Sequence, residues 1–174
     1  MDITQLILDD HYEQRRLFAI LEQVGSEDGR TLGPVWSRLS AFLEIHAATE
    51  EDVFYPALLR AGLQSGHAKG AERETLDAIK DHNDIRDAIA EVAHHELGNP
   101  GWHRAVAAVN VANGDHMAEE EREGLTDFRR VASLELRHEL GVQFIGLEAR
   151  HYRGVSPVDR DPATYVAEAE QRAR

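Results

Sequence analysis

A chain of 174 residues without a cysteine excludes disulfides, thiolate metal ligands, thiol nucleophiles and cysteine-ligated iron–sulfur clusters. Its formal charge of −13, from 32 acidic and 19 basic residues, argues against a duplex nucleic-acid partner. With 42 % apolar residues and only five prolines, the length suits one sizeable core, and abundant alanine, leucine and glutamate favour helix.

The chain opens Met1-Asp2-Ile3-Thr4, without the basic start and apolar run of a signal peptide. No apolar stretch approaches the ~18 residues of a membrane span, so a cytoplasmic location is the default expectation. A first helix is predicted from Thr4 to about Val24, with Asp2 or Thr4 as its cap and an inward stripe of Ile7, His11, Gln14, Phe18 and Leu21. The second begins after Gly33, with Pro34 at a position where its missing N–H is not needed, and runs to Leu59. Pro56 should distort it just after Tyr55. The third runs from Ala71 to Glu96 and stops at Leu97-Gly98-Asn99-Pro100-Gly101. The fourth runs from Trp102 to about Glu123. Beyond Gly124, residues Leu125 to Arg150 read as a fifth helix, lying on the bundle or at a contact between copies in a homo-oligomer. Tyr165 to Arg172 form a short final helix. The expected fold class is therefore all-α: an up-and-down antiparallel four-helix bundle over residues 1–123, with a C-terminal helical extension over 124–174.

His46 and Glu50 lie four residues apart on the inward side of the second helix, and His116 and Glu120 repeat the pattern on the fourth. Burying an imidazole with a carboxylate is costly unless both are paired or hold a metal. His11 falls about 13 residues before the end of its helix and His46 about 13 after the start of the next. At 1.5 Å per residue both lie roughly 20 Å from the same end of the bundle. The same count, about 14 residues, separates His82 and His116 from the turn that joins their helices. Four imidazoles and two carboxylates thus share one layer. That set suits a pair of iron, manganese or zinc ions, each taking two histidines, with carboxylates bridging or chelating. Two such ions about 3.5 Å apart can share an oxo or hydroxo bridge and keep open positions for a small oxidant.

His11, His46-x-x-x-Glu50, His82 and His116-x-x-x-Glu120 resemble the hemerythrin-like (HHE) cation-binding domain, bacterial type. The surroundings agree: Asp10-His11, Glu50-Glu51-Asp52-Val53-Phe54-Tyr55-Pro56-Ala57-Leu58, Asp81-His82 and Asp115-His116. The resemblance spans Met1 to about Glu123. It implies a four-helix bundle with a non-haem centre of two iron ions (Fe2+/Fe3+) held by His11, His46, Glu50, His82, His116 and Glu120. The oxygen-carrying members have a further histidine one turn after the third-helix histidine, where this chain has Arg86, and an aspartate five residues into the last motif, where it has Glu121. One imidazole fewer points away from reversible oxygen storage. It favours binding of, or chemistry on, hydrogen peroxide, nitric oxide or dioxygen. Some relatives replace the lost ligand with a tyrosine, for which Tyr55 is the candidate. Regular helix geometry turns Tyr55 about 140° from Glu50, whereas a distortion at Pro56 would bring it back.

Arg86 is expected to pair with a ligand carboxylate or an exposed acid, and Gln14 to support His11 or simply pack. Glu51 and Glu119 turn about 100° from the ligands, to solvent or to an outer role. Asp10, Asp81 and Asp115, each next to a histidine, are expected at the surface. His138-Glu139 lacks the second histidine of a zinc protease motif, since Val142 and Gln143 follow. An enzyme of peroxidase, catalase-like or nitric-oxide-processing type, a sensing or binding module, and a helical interaction protein with a structural metal all remain open at this point.

Overall fold

A computed structural model of the chain describes residues 1–173; Arg174, the last residue of the expected extension, lies outside the described residues. The architecture is an all-α bundle carrying extra C-terminal helices. Helix α1 spans Ile3–Gln23, and the Asp2 carboxylate caps it by accepting from the Thr4 N–H. Helix α2 spans Gly29–Thr49 and starts earlier than Pro34 suggests. The Asp28 carboxylate accepts from the Thr31 N–H and nucleates the helix one turn upstream, so Pro34 gives up one ladder bond inside it. A π-helical turn, Glu50–Phe54, joins α2 to α3, Tyr55–Ser65. Helix α4 spans Ala68–Val92 and α5 spans Pro100–Arg122, the latter capped by Asn99 with Pro100 in its first turn. These segments pack as an up-and-down bundle, with α1 against α2 and α5, and α4 against α3 and α5.

The tail holds three helices rather than one long and one short: α6, Gly124–Val131, α7, Leu134–His151, and α8, Pro162–Ala173. The break comes at Ser133, whose hydroxyl accepts from the Leu136 N–H and starts a new helix after an extended Ala132. Helix α7 lies on α1 and α2, and α8 on α3 and α4. Gly141 permits the first contact: a Cβ there would come 3.2 Å from the Ile3 nitrogen. Among the described residues no helix is long and apolar enough to cross a membrane.

Two apolar clusters fill the interior. One holds Leu17, Leu21, Leu39, Leu43, Trp102 and Val109 at the end closed by the short loops. The other holds Ile3, Ile7, Phe54, Leu58, Phe128 and Phe144 at the end closed by the extension. A side chain of this size contributes about 1.5–3 kcal/mol when fully buried. Along each of the four long segments a histidine stands where one cluster gives way to the other: His11 between Ile7 and Leu17, His46 between Leu43 and Val53, His82 between Ile79 and Ile85, His116 between Val109 and Leu125. The polar layer is thus a slice through the middle of an otherwise apolar bundle.

Candidate metal centre

His11, His46, Glu50, His82, His116 and Glu120 all converge in that slice, each at most 5 % exposed. Ligand-type atoms of His11, His46 and Glu50 lie within 4.8 Å of one another, and so do those of Glu50, His82 and His116. Glu50 is common to both groups. Its Oε1 stands 3.0 Å from His46 Nε2 and its Oε2 3.3 Å from His82 Nε2. Glu120 Oε2 stands 3.4 Å from His11 Nε2.

Each imidazole is turned by a carboxylate on its other nitrogen. His11 Nδ1 donates to Glu121 at 2.9 Å, His46 Nδ1 to Asp10 at 3.0 Å and His82 Nδ1 to Glu51 at 3.0 Å. His116 Nδ1 faces Asp81 at 3.6 Å, an ion-pair distance. Acids at Nδ1 hold a proton there and turn Nε2 inward, the atom whose lone pair a metal would take on displacing any proton. The four acids close a ring around the bundle: α1 serves α2, the π turn serves α4, α4 serves α5, and α5 serves α1. Asp10 and Asp81 therefore do not sit free at the surface, as their neighbouring histidines suggest. A side chain one position from a ligand turns about 100°, and in a four-helix bundle that points across to the next helix. In an up-and-down bundle the same rotational sense is reached one residue before the ligand on α1 and α4, and one residue after it on the π turn and α5. Asp115 precedes His116 on α5, turns the opposite way, and is exposed.

Ligand-type atoms turned toward one another, several of them without a partner, are the diagnostic feature. His11 Nε2, His46 Nε2, both Glu50 oxygens and Glu120 Oε2 are buried without a hydrogen-bond partner. His82 Nε2 and His116 Nε2 approach to 3.2 Å. Burial alone would lower the His82 pKa, yet Glu50 and Glu51 outweigh it and raise His82 to about 9. At His46, Glu50 and Asp10 likewise outweigh burial and raise the imidazole well above its usual value. The layer attracts positive charge, and the donor set fits a metal pair: nitrogen and carboxylate oxygen, with no sulfur.

Tyr55 is where a local distortion decides a functional question. Its N–H bonds to the Glu50 carbonyl, five residues back, across the π turn. Pro56 has no N–H for the next bond of a regular ladder, so the wider turn sacrifices little there. The extra residue brings Tyr55 onto the face of Glu50. Its hydroxyl, fully buried, donates to Glu120 Oε1 at 2.7 Å. Burial, reinforced by Glu120, holds the phenol well above its usual pKa, so it keeps its proton.

Arg86 takes up Glu51 at 2.8 Å and Glu44 at 3.2 Å, buried acids rather than a ligand or an exposed one. It thereby holds Glu51 against His82. Gln14 accepts from Asn113 at 2.9 Å, and its own Nε2 is buried without a partner. The extension supplies residues the sequence did not flag. Arg160 pairs with the other Glu51 oxygen, Tyr165 donates to the Glu51 carbonyl, and Glu148 lies beside Asp10. A cavity of about 20 Å³ opens beside Tyr55, His116 and Glu120, room for one water-sized molecule.

The sequence profile of the Hemerythrin HHE cation binding domain matches residues 2–126. The chain belongs to that family. Among solved structures, a hemerythrin HHE cation binding domain-containing protein from Mycobacterium kansasii, described as an Rv2633c homologue, shares 18 % identity with a TM-score of 0.70. The match covers 99 % of this chain and 91 % of that one, so the likeness in fold runs through α6–α8 as well. No curated protein sequence matches the chain. As a hemerythrin-family domain, it carries potential metal-binding clusters of histidine and glutamate.

Proposed function

We propose that the chain is a non-haem di-iron protein that binds or transforms one small redox ligand: hydrogen peroxide, nitric oxide or dioxygen. The observation behind this reading is the inward set of unpaired Nε2 and carboxylate atoms beside a cavity of about 20 Å³. His11 and His46 would hold one ion, His82 and His116 the other, with Glu50 shared and Glu120 adjoining. Two iron ions would supply one-electron steps. The chain supplies the rest. The two apolar clusters keep bulk water from the layer, and the cavity admits only a ligand of a few atoms. The Tyr55 O–H offers a proton at Glu120 Oε1, on the edge of that cavity. Loss of one imidazole relative to the oxygen carriers favours turnover over storage. Phenolate ligation by Tyr55 is a second reading, favoured by its arrival on the ligand face, and it requires the metal to displace the phenolic proton.

Purified protein is expected to hold two irons per chain and to consume peroxide or nitric oxide. Tight binding of these ligands without consumption would make it a sensor or carrier. A protein that takes up no iron would overturn the proposal.

A further inference from the structure

The cavity at the centre opens between α4 and α5, and its walls carry one sign of charge. Glu74, Asp77, Asp81, Glu119 and Glu123 line it, and no lysine or arginine does. At its floor stand His116 and Glu120, 3 % and 5 % exposed, and Glu120 Oε2 has no hydrogen-bond partner. An exposed acid leads through half-buried acids to an unsatisfied buried one.

The opposite side of the layer is built differently. The rings of Phe42 and Phe144 lie 6.4 and 6.2 Å from that of His46 and cover it. The larger cavity on that side, about 620 Å³ between α2 and α7, carries Arg38 and Arg153 together with Glu13 and Glu148. Charges of both signs balance there, Arg38 being paired with Glu13, so that side has no one-signed funnel, and apolar clusters close both ends of the bundle. Near the α4–α5 cleft, burial and then the charges of Asp127 and Glu123 raise Glu74 to about 7, which reports how densely negative charge is packed.

We propose that the α4–α5 cleft is the uptake route of the metal, a string of carboxylates that draws a divalent cation such as Fe2+ from solvent to Glu120 and His116. The idea rests on the di-iron reading and adds to it a path and a selectivity: cations and neutral molecules pass, small anions are repelled. Clefts lined by one sign of charge raise association rates by roughly 10- to 1000-fold. Asp77 and Glu119 are the informative positions, because among the described residues neither takes part in an ion pair.

The test is the rate at which the full-length metal-free chain takes up Fe2+ under anaerobic conditions, read by competition with a chromogenic chelator. Asp77→Asn/Glu119→Gln should load at least about tenfold more slowly than wild type and still reach two irons per chain. Wild-type loading should slow steeply as salt is raised, and the variant's much less. Glu27→Gln/Glu139→Gln, which removes two exposed acids elsewhere, should load like wild type. Circular dichroism checks each fold; if the double variant unfolds, Asp77→Asn and Glu119→Gln made singly carry the expectation, each loading more than about twofold more slowly than wild type. Loading within twofold of wild type, equal slowing in the control, or a lower final iron content in the variant would each overturn the route. A wild-type chain that takes up no iron would instead overturn the di-iron reading on which the route rests.

Discussion

The two halves of the polar layer have the same donor types and different surroundings. His11 and His46, from α1 and α2, face His82 and His116, from α4 and α5, across Glu50. The ring pairs are spaced alike, 5.1 and 4.7 Å between centroids. Yet the first pair is sealed by Phe42 and Phe144 and steadied by Asp10, Glu121 and Arg15. The second pair borders Tyr55, the small cavity and the acidic cleft, and its His82 is fixed by Glu51 between Arg86 and Arg160. Matching ligands with unequal access separates two tasks. On the di-iron proposal one half would fix a metal, and the other would fix a metal and meet a ligand.

The largest effect expected is on metal content. His46→Ala and His116→Ala should each reduce iron from two per chain to one or fewer, measured by elemental analysis. Only His46→Ala should retain a site at which peroxide or nitric oxide perturbs the spectrum. Equal spectral responses in the two variants would break the distinction between the halves. Next comes Glu51→Gln. It removes the buried carboxylate that Arg86 and Arg160 share; Arg86 keeps Glu44 and the part-exposed Arg160 keeps Asp52, so the cost is about 1–3 kcal/mol of stability. It also loosens His82, with a loss of about 10- to 100-fold in affinity for the second iron, read by chelator titration. Affinity for both irons falling alike would contradict the assignment. Tyr55→Phe tests access rather than holding. Two irons should remain, while turnover drops about 10²-fold if the hydroxyl delivers a proton. Disappearance of a phenolate-to-iron absorption band in that variant would favour ligation instead.

Much of this arrangement is legible in the sequence. The helical periods around His11, His46, His82 and His116 are strong, and the residue counts to the helix ends place all four at one depth before any coordinates are used. Glu50 and Glu120 follow from the four-residue spacing. The positions that escape are those set by neighbours in space. Asp10, Asp81, Glu51 and Glu121 look peripheral on a single helical wheel, because the wheel says nothing of the adjacent helix that receives them. With the bundle's alternating direction added, an acid before the ligand on α1 and α4, and after it on the π turn and α5, becomes a readable signature. Tyr55 depends on one hydrogen bond changing from four residues to five, a choice that Pro56 permits and does not dictate. Arg160, Tyr165 and Glu148 reach the layer from helices and loops beyond residue 126, where no spacing rule ties them to a histidine. The helix break at Ser133 was masked by apolar residues that continue through it.

Glu148 offers the gentlest test of the sealed half. Burial, then the neighbouring Asp10, raises its carboxyl to about 8 from an ordinary 4.5. An acid with a higher pKa in the folded chain binds more protons there than when unfolded. Its contribution to stability is therefore complete below about pH 4.5 and is lost as pH rises through about 8. Glu148→Gln keeps a neutral group at all pH values. The side chain is half-buried, so solvent screening reduces the effect to the order of 1 kcal/mol, or about 2–4 °C in melting temperature. The variant should melt with wild type at pH 4 and above it at pH 9. Parallel melting profiles across that range would mean that α7 covers His46 by packing alone, through Phe144, and that the acid beside Asp10 contributes nothing to the first half of the layer.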